Sequence, residues 1–167
     1  QYMSVLENVK IGCHMATKSR LYDAVLHTKT YRQDEEFATE KALEMLKYVG
    51  LSEYAGVMAG NLSYGIQRRV EIARSLATDP KILLLDEPAA GMNRLETDAL
   101  QDFLKQLNAS GQTILLIEHD MKFVMNSCNQ IMVLNFGEKI CAGPPDVVSN
   151  DPQVQAAYFG SGKIGRR

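Results

Sequence analysis

The chain has 167 residues, 46% of them hydrophobic, and a formal net charge of −2, which suits one domain with a real core. That charge argues against a general binder of nucleic acid or anionic membrane, and no apolar run approaches the length that a bilayer span needs. Cys13, Cys128 and Cys141 are odd in number and far apart, with no Cys-x-x-Cys pair, so they offer neither a disulfide framework nor a zinc site and suit a reducing cytosol.

Taken in chain order, Ser4 with Glu7 three residues on precedes Val5, Leu6, Val9 and Gly12 or Cys13 at helical spacing. That pattern predicts a capped helix from Ser4 to about Met15. Residues 17–33 are polar and mildly basic (Lys18, Arg20, His27, Lys29, Arg32) and read as a solvated, partly helical connection. Asp34-Glu35-Glu36 place three acids where they favour the positive end of a helix dipole, so a second helix is predicted to open there. Phe37, Ala42, Leu43, Leu46 and Val49 are its apolar stripe and Gly50 its terminator. Leu51 to Asn61 reads as a short helix or turn, which makes the first sixty residues a small helical unit without strands.

Leu62-Ser63-Tyr64-Gly65-Ile66-Gln67 leads the next helix, whose Ile66, Val70, Ala73 and Ala77 recur at i, i+4, i+7 and i+11. A serine and a glycine at its start leave a hydroxyl and bare amides at the positive end of the dipole, where an anion is favoured. The same residues also describe a capped amphipathic helix with no ligand. Ile82-Leu83-Leu84-Leu85, entered through Asp79-Pro80 and left through Pro88, predicts a short strand buried on both faces. Asp86 and Glu87 emerge at its carboxyl end, where open α/β sheets bind ligands. In a phosphoryl-transfer site the first acid can hold Mg²⁺ and the second can activate a water; alone, the pair also fits a plain strand end with solvated acids.

Asn93 and Glu96 form a capping pair for a helix to about Asn108 that is predicted to bury Leu95, Ala99, Phe103 and Leu107, with Gly111 ending it. A strand over 113–118, a short helix over 120–127 and a strand over 130–134 follow. Asn135-Phe136-Gly137-Glu138 then turns into Lys139-Ile140-Cys141-Ala142. Pro144-Pro145 and Asp151-Pro152 each open a short helix, since proline suits a first helical turn.

The order of these motifs resembles that of ABC-type ATPases. Leu62 to Gln67 is similar to the signature sequence, Leu85-Asp86-Glu87-Pro88 to the Walker B strand end, Ala89-Ala90-Gly91-Met92-Asn93 to the D-loop, and His119 to the switch histidine. The wording of residues 89–93, 115–125 and 156–160 is similar to the LivG-type ATP-binding subunits of branched-chain amino acid importers. Relatives in urea uptake and lipopolysaccharide export share much of it. The resemblance implies an α/β fold: a partial P-loop NTPase core with parallel strands plus an α-helical subdomain. It divides the chain into a helical subdomain (1–78), a partial catalytic core (79–143) and a C-terminal helical tail (144–167).

The resemblance also implies roles. Asp86 would hold Mg²⁺ through water, Glu87 would polarise the attacking water, and His119 would contact the γ-phosphate of ATP. Ser63, Tyr64, Gly65, Ile66 and Gln67 would bind the γ-phosphate held by the opposite subunit of a head-to-tail dimer, with Gly91 and Asn93 across the seam. Tyr64 and Ile66 depart from the family's glycine and glutamine; backbone donors survive this, but the side-chain contact of the fifth signature position does not carry over. No Gly-x-x-x-x-Gly-Lys-Ser/Thr loop is present in these residues. The look-alike Gly160-Ser161-Gly162-Lys163-Ile164 has Ala157 at the first glycine position and Ile164 in place of the hydroxyl residue. The expectation is therefore the C-terminal part of a longer ATPase, inactive by itself. The whole would be a cytoplasmic subunit peripheral to the inner face of the cell membrane. Its partners would be a second ATP-binding subunit, transmembrane permease subunits and, indirectly, an external substrate-binding protein, with no nucleic acid. Two other classes stay open: a non-catalytic interaction module of the same shape, and an ABC ATPase acting outside transport.

Overall fold

The computed structural model describes residues 2–14, 17, 19 and 21–159, which fall in two compact units divided between Ile117 and Glu118. Met15, Lys18, Arg20 and the glycine-lysine look-alike at 160–164 lie outside the described residues.

The first unit runs α1 (Val5–Cys13), α2 (Leu21–Leu26), α3 (Lys29–Tyr48), two 3₁₀ turns (Ser52–Tyr54, Ala59–Asn61), α4 (Tyr64–Leu76), β1 (Ile82–Asp86), α5 (Arg94–Ala109) and β2 (Thr113–Ile117). The Ser4–Glu7 capping box forms: the Glu7 amide donates to the Ser4 hydroxyl at 3.2 Å and the Ser4 amide to the Glu7 carboxylate at 2.7 Å. Val5, Val9 and Cys13 then bury against α3 and α4. The approach to α4 is closest at Gly12, where an added Cβ would lie 2.1 Å from the Arg74 carbonyl oxygen.

α3 opens earlier than expected. Thr28 caps it by accepting from the Tyr31 amide, so Asp34, Glu35 and Glu36 fall in its second turn rather than its first. Its buried face is Ala38, Ala42 and Leu46, while Phe37 and Leu43 are exposed. Small residues face inward because α1 and α4 press close there. The helix ends as the glycine predicts. Gly50 takes φ +70°, its amide donates to Lys47 O at 3.1 Å, and the Leu51 amide reaches back to Leu46 O at 2.7 Å, which is the Schellman pattern.

β1 and β2 pair in parallel, Ile82 opposite Thr113 through Asp86 opposite Ile117. Only one face is covered. Leu83 and Leu85 are buried, whereas Ile82 and Leu84 are 54% and 69% exposed, so the expected two-sided burial is corrected. The helices of this unit cover one side of the pleat, and among the described residues β1 and β2 pair only with each other. α5 is corrected too: Leu100, Phe103, Leu104 and Leu107 are buried, but Leu95 is 81% exposed and Ala99 is also exposed. A row of residues four apart drifts by about 40° per step around an α-helix, so the Leu95-Ala99-Phe103-Leu107 row leaves the buried face at its upper end.

The second unit runs α6 (Met121–Ser127), β3 (Ile131–Asn135), β4 (Glu138–Gly143), α7 (Pro145–Ser149) and α8 (Pro152–Phe159). β3 and β4 are antiparallel, not parallel, because Phe136 (φ +49°) and Gly137 (φ +83°) form a two-residue turn with both residues left-handed. Ile131, Val148 and Val154 form its core, with Met121, Val124, Met125 and Cys128 against it. Among the described residues no helix is long and apolar enough to cross a membrane.

Candidate functional site

The mouth of α4 is built by the chain that enters it. Ser63 is the N-cap with extended backbone (φ −63°, ψ 157°), yet its hydroxyl makes no capping bond to the helix. The amides of Tyr64, Gly65 and Ile66 belong to the first turn, where a helix supplies no acceptor. The Gln67 amide already donates to Ser63 O at 2.9 Å, and its side-chain Nε2 donates to Leu62 O at 2.7 Å. Gln67 therefore braces the loop, while Ser63, Tyr64 and Gly65 present the donors. Tyr64 is exposed.

The Gly65 amide is engaged. It donates at 3.3 Å to Oε1 of Glu96, from the first turn of α5. Oε2 of the same carboxylate accepts from the Asn93 amide at 3.2 Å and from Asn93 Nδ2 at 2.9 Å. The Asn93 and Gly65 amides and the Ser63 hydroxyl, in that order, hold the Glu96 carboxyl below its ordinary range. Gly65 allows this approach: a Cβ there would meet Glu96 Cγ at 3.1 Å and Cβ at 3.2 Å.

Asp86 and Glu87 leave the sheet at the carboxyl end of β1, both exposed. The Glu87 amide donates to Ile117 O at 2.9 Å and its φ is +42°, a left-handed conformation that is strained for glutamate. β2 thus holds the backbone from which the Glu87 side chain leaves. Pro88 is buried and its carbonyl accepts from Arg68 Nε at 3.1 Å. Arg68 also pairs with Glu71 at 2.6 Å. One arginine therefore ties α4 to the turn that carries both acids. The loop after it folds through Ala90 N to Glu87 O (3.1 Å) and Met92 N to Ala89 O (3.2 Å), with Gly91 left-handed at φ +77°. Asn93 closes it as the N-cap of α5.

His119 belongs to the second unit. Its ring is 77% exposed with Nδ1 3.8 Å from Glu118 Oε2, and its amide donates to that carboxylate at 3.2 Å. Asp120 behind it caps α6 by accepting from the Lys122 and Phe123 amides. Among the described residues no group of three or more His, Cys, Asp or Glu side chains could hold a metal ion by itself.

Within the first unit the structure thus joins the α4 mouth to the Asp86-Glu87 turn through Arg68, and to the Gly91-Asn93 loop through Glu96. Sequence reasoning missed both links. Glu96 was visible as a capping partner of Asn93, but its second contact lies 31 residues away in the chain. Arg68 carries no local signal beyond its place on the polar side of α4.

Comparison with known proteins follows the same lines. A family model described as "ABC transporter" matches residues 3–90, and one described as "Branched-chain amino acid ATP-binding cassette transporter" matches residues 138–164. The chain is 44% identical over 159 residues to the high-affinity branched-chain amino acid transport ATP-binding protein LivG of Escherichia coli (strain K12), covering 95% of this chain and 62% of LivG. It is 42% identical over 159 residues to BraF of Pseudomonas aeruginosa, a high-affinity branched-chain amino acid transport ATP-binding protein, with the same coverage of each chain. The crystal structure of the ADP conformation of MJ1267, an ATP-binding cassette of an ABC transporter, matches with a TM-score of 0.76 at 33% identity, over 95% of this chain and 63% of that one. The chain thus spans about three fifths of the length of the relatives it matches.

Proposed function

We propose, from the premise that this chain belongs to the ABC transporter family, that it supplies part of an ATP-hydrolysing subunit driving import of branched-chain amino acids. The whole subunit would work at the inner face of the cell membrane with a second ATP-binding subunit, permease subunits and an external binding protein. LivG and BraF, by their names, serve branched-chain amino acid transport, and that substrate class is carried over here as part of the proposal.

The observation that carries this reading is the Arg68–Pro88 bond, which links a helix mouth of amide donors to the turn that bears two acids. Phosphoryl transfer depends on positioning, and in a head-to-tail dimer this link would couple the acids at one nucleotide to the mouth at the other. The residues fit the groups involved. A carboxylate already sits on the Gly65 amide, so the mouth takes an anion, and the exposed oxygens of Asp86 suit Mg²⁺, which binds through one or two carboxylates plus phosphate oxygens and water. Mg²⁺, when bound, would supply charge neutralisation at the phosphates. Glu87, on its fixed left-handed backbone, would orient and deprotonate the water. His119 would contact the γ-phosphate, and Ser63, Tyr64, Gly65 and Ile66 would bind the γ-phosphate presented by the opposite subunit. Gly91 and Asn93 would line that seam, with Gln67 bracing the mouth.

No glycine-lysine phosphate loop of the expected spacing lies in these 167 residues, so the chain alone is expected to release no phosphate from MgATP. Joined behind the upstream part of LivG, it should hydrolyse ATP, and Glu87→Gln should lower kcat by about 10²- to 10⁴-fold, the usual contribution of a general base. Turnover by the purified chain alone, or full turnover by the joined Gln variant, would refute these assignments.

A further inference from the structure

We propose that Glu96 is an internal anion that occupies the mouth of α4 and must leave the Gly65 amide before a phosphate group can bind there. This rests on the reading of that mouth as a phosphate site. Three observations meet at the residue. Oε1 takes the Gly65 amide at 3.3 Å, in the place where an incoming phosphate oxygen would accept. The Ser63 hydroxyl, which caps nothing in its own helix, lies close enough to help hold the carboxyl in its charged form. And Gly65 has room for the Glu96 side chain only because it lacks a Cβ, whose nearest neighbours would all be Glu96 atoms at 3.1 to 3.4 Å.

The occupancy is not a by-product of capping α5. The capping box with Asn93 uses Oε2 and the Glu96 amide, which donates to Asn93 Oδ1 at 3.0 Å. Oε1 is left over and is spent on α4. A carboxylate and a phosphate oxygen compete for the one N–H, and two anions at one helix end repel each other. The Asn93 contacts do not compete, so the side chain can give up Gly65 while still holding the 89–93 loop. Arrival of phosphate at the α4 mouth therefore changes the restraint on the loop that lies, in the proposed dimer, across the same seam.

The test uses the ¹⁵N-labelled chain and follows the Gly65 amide resonance during titration with tripolyphosphate at matched ionic strength. Glu96→Gln keeps a capping side chain at the third helical position and removes the charge. Glu96→Asp keeps the charge and withdraws it by one methylene. Half-saturation is expected at about threefold lower tripolyphosphate, or lower still, in both variants, the scale of one exposed charge at a helix N-terminus. Wild-type-like titration of both variants would overturn the proposal, because a purely structural capping role shifts Tm and leaves the titration unmoved. A gain in Gln with none in Asp would also overturn it, showing repulsion without occupancy. If Glu96→Gln fails to give a folded spectrum, Glu96→Asp decides; if Glu96→Asp fails, Glu96→Ala, which leaves the Gly65 amide bare, replaces it, and half-saturation equal to that of Glu96→Gln would overturn the proposal. If tripolyphosphate moves the Gly65 resonance in none of the three proteins, the phosphate reading itself fails and takes this proposal with it.

Discussion

Arg69 shows how one side chain can hold three segments. Its guanidinium donates to Val49 O at 2.5 Å, at the end of α3, and lies over the Phe103 ring of α5 at 4.9 Å, while the residue itself stands on α4. Burial lowers its pKa, and among the described residues its Nε has no hydrogen-bond partner. The sign of its contribution is therefore a contest between a half-buried, incompletely satisfied cation and the carbonyl and ring that need it. A carbonyl left unpaired inside costs about 1 to 3 kcal/mol, and a cation over an aromatic face adds about 1 kcal/mol. Arg69→Met is expected to lower stability by about 1 to 2 kcal/mol, since the relieved desolvation offsets only part of that loss. Urea unfolding followed by far-UV circular dichroism checks it, and a variant as stable as the wild type would mean that the buried charge costs as much as it returns.

At the scale of elements, the joint between α1 and α4 depends on Gly12. Alanine in place of glycine inside a helix normally gains about 1 kcal/mol. Here the new methyl would lie 2.1 Å from the Arg74 carbonyl oxygen and 3.0 Å from Ala77 Cβ. The nearer of these is backbone, which no rotamer change can move. Overpacking of this kind costs about 1 to 3 kcal/mol, so the overlap should outweigh the helical gain. Gly12→Ala is expected to lower Tm. Gly56→Ala, with nothing within 4 Å of the added Cβ, should leave Tm unchanged or slightly raised. Equal Tm values for the two variants would show that α1 has room to shift.

For the molecule as a whole, the exposed face of the parallel pair is the feature that stands out. Ile82, Leu84, Leu115 and Ile117 are 54%, 69%, 55% and 59% exposed, although parallel strands normally have both faces covered. An apolar face of this kind, beside strand edges that are unpaired among the described residues, favours association. The chain is expected to elute from a sizing column above its monomer mass as concentration rises. Leu84→Thr with Leu115→Thr, which puts β-branched residues suited to strands in place of the exposed leucines, should move it back towards monomer. A wild-type chain that stays monomeric at high concentration would show that this face needs no cover.

The sequence by itself determined what short-range chemistry controls. The Ser4–Glu7 and Asn93–Glu96 boxes, the Gly50 stop and the turn over Asn135-Phe136-Gly137-Glu138 are set within a few residues, where capping and the glycines' φ freedom act. The order of the motifs from Leu62 to His119 was enough to indicate the family. Tertiary structure decided the rest, because burial depends on what packs opposite. Leu95 and Leu84 are as apolar as Leu100 and Leu83, yet only the latter two are buried. The same holds at the candidate site. Nothing local to Glu96 points to Gly65, or local to Arg68 to Pro88, and both contacts exist only once α4 has been laid beside α5 and the end of β1.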